Sequence, residues 1–320
     1  MESFSRALSV VVPVYNSEGS LRVLVERVES VLEGVDYELV LVNDGSVDGS
    51  WDRVQELAAE FPRVRGFDLM RNYGQHNALL AGIRAAEGAL IATIDDDLQN
   101  PPEEIPRLLA ELERGNDVVY GNATDEHYGL WRGLATRLTK VALRGVVGND
   151  VAGKVSAFRV FRTELRDAFA DYAGPHVSID VLLSWGARRY GWVDVAHDAR
   201  AEGRSSYTFT RLATHALNVL TGFSTRPLRV ASLIGLAFTL FGIVVLVIVL
   251  TSYAIRGGSV PGFPFLASMI AIFSGAQLLT LGIFGEYLAR MHVRVMDRPP
   301  YAVRDTTPTA AHVEVTTARR

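Results

Sequence analysis

The sequence has no cysteine. Disulfides and thiolate metal centres are therefore excluded, and the chain suits a reducing compartment. An excess of one charge is also lacking: 32 Lys and Arg stand against 36 Asp and Glu, a net charge of −4. That balance gives no reason to expect nucleic acid as a partner. The first residues, Met1-Glu2-Ser3-Phe4-Ser5-Arg6, have no long apolar core of the signal-peptide kind, so the first domain is expected on the cytoplasmic side. No internal repeat is evident. No Gly-x-Gly-x-x-Gly follows the first apolar run, which leaves a dinucleotide site unsupported.

Charge is nearly missing from one long region. Between Val230 and Gly285 the only charged residue is Arg256. Two spans lie inside, 230–253 and 263–285. As helices each would be roughly 35 Å long, enough for a hydrocarbon core of about 30 Å. Residues 254–262 form a turn-rich connector. Arg226 and Arg229 precede the first span, and Arg290, Arg294 and Arg298 follow the second. The positive-inside rule puts both chain ends in the cytoplasm and the connector outside. Residues 286–320 then form a cytoplasmic tail, expected to be disordered beyond Pro299-Pro300.

The first two hundred residues alternate apolar strand runs with helical periodicity. Leu8 to Val14, Tyr37 to Val42, Val64 to Leu69, Ala89 to Ile94 and Asp117 to Tyr120 read as strands. Leu21, Leu24, Val25, Val28, Val31 and Leu32 recur at helical spacing, stopped by Gly34. Further helices are expected at about 51–61, 75–86 and 103–114. The pattern predicts an α/β domain with a mostly parallel sheet, over residues 1–205. Ligands bind such sheets at the carboxyl ends of the strands. Tyr15-Asn16, Asn43-Asp44, Arg71-Asn72-Tyr73-Gly74 and Asp95-Asp96-Asp97 all fall there.

Asp95-Asp96-Asp97-Leu98-Gln99-Asn100-Pro101-Pro102-Glu103 is the most chemically pointed stretch. Along a strand, Asp95 and Asp97 project one way and Asp96 the other. Ionised carboxylates at the end of a buried strand repel and are costly to desolvate. A hard divalent cation, Mg²⁺ or Mn²⁺, relieves that cost. Mg²⁺ is usually held by one or two carboxylates plus substrate phosphates, which points to a phosphorylated or nucleotide ligand. Two other segments look interfacial. The stretch 127–147 sets Trp131, Leu134, Leu138 and Val141 on one helical face and Arg132, Arg137, Lys140 and Arg144 elsewhere. A membrane-surface helix and a core-facing helix with a basic outer face both fit it. The stretch 207–223 carries an apolar stripe and, within 206–229, leads directly into the first span.

Val12-Pro13-Val14-Tyr15-Asn16, Val42-Asn43-Asp44-Gly45-Ser46, Arg71-Asn72-Tyr73-Gly74-Gln75-His76 and the Asp95-to-Glu103 stretch resemble the family-2 inverting glycosyltransferases with a GT-A fold. The two apolar spans and Arg200-x-x-Gly203-x-Ser205-x-Tyr207 narrow the resemblance to polyprenyl-phosphate glycosyltransferases. These include dolichyl-phosphate mannose synthases, bactoprenol glucosyltransferases and, most similar in wording, the aminoarabinose-type undecaprenyl-phosphate transferases. The resemblance implies a pocket for base and ribose at Pro13, Tyr15 and Asp44, with Asn16, Glu18, Ser46, Gly74 and Gln75 around it. Asp95 would lie near the ribose and diphosphate, and Asp97 and Gln99 would hold the Mg²⁺ or Mn²⁺. Asp95 or Asp96 would orient the acceptor. Arg200, Ser205 and Tyr207 would clamp the acceptor phosphate or the donor diphosphate. Relatives often carry an arginine shortly after the fifth strand; here Gly121-Asn122-Ala123 lacks it, and the resemblance implies that Arg132 would take its place.

The resemblance further implies that a lipid monophosphate, already anionic, attacks the anomeric carbon without a strong general base. The expected partners are a nucleotide sugar, a polyprenyl phosphate and the membrane, with a homo-oligomer and a downstream flippase or periplasmic-side glycosyltransferase as further possibilities. His76 and His176 are expected to be structural or substrate-positioning. The alternatives are a processive polysaccharide synthase, whose Gln-x-x-Arg-Trp motif is missing, and a catalytically silent scaffold or translocation partner.

Overall fold

A computed structural model of the protein describes residues 6–123, 154–174, 177–196, 226–256, 262–296 and 298–308. The described elements, in chain order, are β1 (Arg6–Val14), α1 (Glu18–Val31), β2 (Tyr37–Asn43), α2 (Ser50–Glu60), β3 (Val64–Leu69), α3 (Gln75–Ala85), β4 (Gly88–Thr93) and α4 (Ile105–Glu113). Then come β5 (Val118–Ala123), β6 (Arg159–Arg162), α5 (Ile179–Leu183), β7 (Tyr190–Val195), α6 (Arg226–Arg256), α7 (Phe263–Val295) and β8 (Val303–Thr306).

The strands form one sheet in the order β7-β5-β6-β4-β1-β2-β3-β8. β3, β2, β1 and β4 are mutually parallel neighbours, which aligns their carboxyl ends along one edge of the layer. β6 runs antiparallel between β4 and β5. Alternation along the strands sorts the core. Val10, Val12 and Val14 face the layer formed with α1, α2 and α4, whereas Val11 faces α3 and α5. Helix α1 buries Leu21, Leu24, Val25 and Val28, the spacing that its sequence periodicity predicts.

Two findings correct the sequence reading. The tail beyond Pro299-Pro300, expected to be disordered, contributes β8, which pairs antiparallel with β3. The N–H of Gly66 donates to Thr307 Oγ1 (2.8 Å), and the N–H of Thr307 donates to the Gly66 carbonyl (3.0 Å). Without β8 the outer edge of β3 would present unpaired backbone groups to solvent. The sheet is therefore built from chain segments on both sides of the apolar region, not from residues 1–205 alone. β6 was also unanticipated, since a four-residue strand containing Arg159 and Arg162 carries too little apolar periodicity to be read.

α6 and α7 extend beyond the expected spans. Their most apolar stretches, Val230–Ser252 and Ile272–Ala289, are long and apolar enough to cross a membrane. Large side chains such as Leu233, Leu240, Leu250, Leu266 and Leu278 are exposed along them. So much exposed apolar surface is not stable in water and needs a covering. The helices meet where Phe238 and Phe273 stack edge to face, 5.6 Å between ring centroids. The stretches 127–147 and 207–223 lie outside the described residues.

Candidate active site

The loops at the carboxyl ends of β1, β2, β3 and β4 are stitched together by side chains. Asp44, 2% exposed, sits just past β2. Its two carboxylate oxygens accept from the backbone N–H of Tyr73 (2.7 Å) and of Gly74 (2.8 Å). This pins the β3–α3 loop against β2. Gly74 has φ +96°, which a side chain resists, and Gly45 has φ +63° with no room for a Cβ beside the Arg71–Asn72 backbone. On the other side, Ser46 Oγ accepts from Asn16 N–H (3.0 Å), and Asn16 Oδ1 accepts from Val47 N–H (2.9 Å). Glu18 Oε2 accepts from Gly49 N–H at 3.2 Å.

Past β4, which ends at Thr93, Asp95 and Asp96 turn to different helices. Asp95 turns toward α3, where Gln75 Nε2 donates to its Oδ1 at 2.6 Å. Asp96 turns toward α1: its Oδ2 accepts from Tyr15 N–H (3.0 Å) and from the Ser17 hydroxyl, while Ser20 Oγ donates to its carbonyl (2.7 Å). Leu98 is 9% exposed with φ +61°, a costly backbone for a leucine. That turn brings Gln99 N–H back to Asp97 Oδ1 at 3.1 Å.

The electrostatics are those of crowded acids. Burial, then the charges of Asp97 and Asp96, push Asp95 up to about 7, against the downward pull of the Arg159 guanidinium and the Gln75 amide. Burial also raises Asp96, although Ser17 and Tyr15 oppose it. Asp44 is raised by burial more than the Tyr73 and Gly74 N–H groups lower it. Among the described residues no three carboxylate or imidazole side chains converge as a complete metal cage. The oxygen donors of Asp97 and Gln99 suit instead a hard cation that takes its remaining ligands from water and substrate phosphates.

Arg159 is the residue the sequence reading missed. It is 1% exposed on β6, opposite Thr93 of β4. Its guanidinium pairs with Asp180 and its Nε donates to Thr93 Oγ1 (3.1 Å). Tyr120 Oη completes the cluster by donating to Asp180 Oδ1 at 3.2 Å. An arginine inside Phe158-Arg159-Val160-Phe161 was the available signal, because a cation among buried apolar residues has to be paired. His76 Nδ1 accepts from Ile179 N–H (3.4 Å), a structural contact between α3 and α5.

Of the site residues predicted from sequence, Tyr15, Asn16, Glu18, Asp44, Ser46, Gly74, Gln75 and Asp95 to Gln99 are brought to this one end of the sheet. Pro13 lies inside β1, paired with Val42. Arg132, Arg200, Ser205, Tyr207 and His176 lie outside the described residues.

Residues 9–169 match the family described as glycosyl transferase family 2. The chain belongs to that family. As a family-2 glycosyltransferase it is 37% identical over 93% of its length to 92% of the undecaprenyl-phosphate 4-deoxy-4-formamido-L-arabinose transferase of Shewanella sediminis (strain HAW-EB3). It is 39% identical over 92% of its length to 89% of the protein of that name from Pseudomonas aeruginosa (strain LESB58). In fold it is similar to the glucosyl-3-phosphoglycerate synthase of Mycobacterium tuberculosis, solved with Mn²⁺, UDP and glucosyl-3-phosphoglycerate. The TM-score is 0.51 at 18% identity, over 68% of this chain and 78% of that one. The same synthase solved with Mg²⁺ and UDP also gives 0.51. The GT-A architecture, a mostly parallel sheet with helices on both faces, is thereby established for this family-2 glycosyltransferase.

Proposed function

We propose that the protein transfers a sugar from a nucleotide sugar, UDP-linked, to undecaprenyl phosphate or a similar polyprenyl phosphate at the cytoplasmic face of the membrane. The observation that carries this reading is the placement of Asp95 and Asp97 at the end of β4, beside the loops held by Asp44 and Asn16, in a chain with two membrane-length helices. The names of the similar transferases point to the acceptor, and the UDP and divalent ions of the fold neighbour are consistent with the donor.

The residues divide the work. Tyr15, Asn16, Asp44, Ser46 and Gly74 form the wall against which base and ribose rest. Asp95 and Asp97 with Gln99 face the diphosphate, with Mg²⁺ or Mn²⁺ held by Asp97 and Gln99. When bound, that ion neutralises the charge that develops on the departing diphosphate. An oxygen of the lipid phosphate forms the new bond to the anomeric carbon as the bond to the nucleoside diphosphate breaks, inverting that centre. Asp96, spent on Tyr15 and Ser17, holds the β1–α1 loop and positions rather than reacts. Arg200, with Ser205 and Tyr207, is assigned to a phosphate by its motif, and Arg132 to the same side. A guanidinium meets a phosphate through paired hydrogen bonds.

The cytoplasmic orientation is supported by the flanking arginines, and the strand pairing supports a shared side for the two chain ends. Arginines flank the spans on one side, and β8, which follows α7, pairs with β3 of the catalytic sheet. A segment after the second crossing can join that sheet only if both lie on the same side of the membrane. By the arginine placement the connector, residues 254–262, belongs outside, and a flippase is needed before the product can be used there. Incubating purified protein with a panel of UDP- and GDP-sugars, including UDP-4-deoxy-4-formamido-L-arabinose, undecaprenyl phosphate and Mn²⁺ tests the assignment. A lipid-extractable sugar phosphate is the expected product. Donor hydrolysis without lipid product would replace the assignment by a hydrolase.

A further inference from the structure

The C-terminal strand does more than close a sheet edge. Arg304, on β8, reaches inward from an exposed position. Its Nη2 donates to the carbonyl of Met70 at 2.7 Å, and its Nη1 lies 3.5 Å from Asp68 Oδ2. Asp68 is 3% exposed. A buried carboxylate needs compensation by charge and hydrogen bonds. Arg304 supplies the charge from outside and Asn43 the hydrogen bond from inside, with Asn43 Nδ2 donating to Asp68 Oδ1 at 2.7 Å.

From Asn43 the chain of contacts continues into the donor pocket. Asn43, 2% exposed, accepts at Oδ1 from the Ser46 hydroxyl (2.6 Å) and from Ser46 N–H (3.3 Å). Ser46 Oγ accepts in turn from Asn16 N–H at 3.0 Å. A second branch runs through the backbone. The carbonyl that Arg304 holds belongs to Met70, whose own N–H donates to Ala302 at 2.9 Å. Met70 opens the loop whose other end Asp44 grips at Tyr73 and Gly74. Both branches start at one guanidinium and end on the two loops that face the nucleotide. Each amide in the relay has its orientation fixed by the group before it. Asn43 has to present Nδ2 to Asp68, which leaves Oδ1 for Ser46.

We propose that Arg304 is a positioning residue for the nucleotide sugar. It sets the donor pocket through Asp68, Asn43 and Ser46 on one branch and through Met70 on the other. The inference rests on the reading of this end of the sheet as the donor site. It also gives the segment after α7 a role in the reaction. Because α7 ends at Val295 and β8 begins at Val303, the loops of the donor pocket are braced by a residue that follows a membrane-length helix closely in sequence.

The test uses full-length protein in detergent or lipid nanodiscs. Binding of UDP and of GDP is titrated with Mn²⁺ present and lipid absent, and donor KM and kcat are measured with polyprenyl phosphate. Arg304→Met keeps the aliphatic stem and removes the charge, and should weaken nucleotide binding about five- to twentyfold. Donor KM should rise in parallel, with kcat at saturating donor within about twofold of wild type. Arg304→Lys, retaining the charge, should recover part of the loss. Thr307→Val serves as the comparison, since it removes the tail hydrogen bond to Gly66 and leaves the relay intact. It should lower the melting temperature and leave nucleotide affinity within about twofold. Equal weakening by Thr307→Val and Arg304→Met would reduce Arg304 to a strut of the sheet edge and overturn the proposal. Unchanged nucleotide binding in Arg304→Met would overturn this inference alone. Wild-type protein that binds neither nucleotide would overturn the donor-site reading, and this inference with it.

Discussion

At Asp95 three acids share one corner, and removing a proton there is disfavoured by burial and by Asp97 and Asp96 together. A divalent cation reverses that balance, so metal binding and the ionised form of the corner support each other. Asp97→Ala is expected to abolish transfer, and with it the rise in melting temperature that Mn²⁺ gives wild-type protein. A thermal scan with and without Mn²⁺ reads this separately from activity, and an unchanged Mn²⁺ shift in the variant would remove Asp97 from the metal site. Asp44 has a different task, because both of its oxygens hold backbone N–H groups. Asp44→Ala leaves those donors without their partner, at a cost of about 1–3 kcal/mol each if water cannot replace it. Reduced stability together with weaker nucleotide binding is expected from denaturation and titration of the same sample. The pair beneath β4 is buried on both sides, so Arg159→Met should strand the Asp180 charge and cost about 3–5 kcal/mol in stability.

At the scale of elements, loop geometry decides where these residues end up. Gly74 opens α3 at φ +96° and ψ 150°, a conformation nearly exclusive to glycine, yet a Cβ there would meet no neighbour within 4 Å. Gly74→Ala should therefore cost only backbone strain, about 1–3 kcal/mol. Because the strained residue donates to Asp44, the donor KM should rise as well, and a stable variant with wild-type KM would contradict that coupling. Strands β1 to β5 and helices α1 to α4 were legible because apolar spacing repeats there at the period of each element. The site was legible for a related reason: polar clusters interrupt apolar runs at strand ends. β6, β7 and β8 were not legible. β6 is four residues long, and the partner of its buried Arg159, Asp180, is supplied only by the fold. β8 is four exposed residues, Val303-Arg304-Asp305-Thr306, whose only reason to be a strand is the open edge of β3. Long-range pairing of that kind leaves no local periodicity to read.

Across the whole molecule the two ends of the sheet serve different purposes. The carboxyl ends of the central strands hold the site, and the opposite end holds a stabilising cluster. There Glu38, fully buried, accepts from Ser9 Oγ (2.6 Å) and pairs with Arg65 at 2.5 Å. Asp117, at the start of β5, belongs to the same stabilising framework. Burial pushes its carboxyl up, but the N–H groups of Arg189 and Arg188 outweigh that and hold it below the usual carboxylate range. A group depressed in the folded state contributes stability above its unfolded pKa of about 3.9 and loses it as pH falls through the folded value. Asp117→Asn should thus lower stability at neutral pH and flatten its fall below about pH 4. Equal acid sensitivity in both proteins would assign that fall to other groups. The two apolar helices, the strand that returns after them and the acid corner describe one machine, joining a soluble donor to a lipid acceptor at the membrane surface. The most direct measurement follows a radiolabelled sugar from its UDP donor into the organic phase, with undecaprenyl phosphate and Mn²⁺, in wild type and Asp97→Ala. Label should enter the lipid fraction only with wild type, lipid phosphate and metal together. Transfer that persists in Asp97→Ala, or in excess chelator, would contradict the assignment of the reaction to this site.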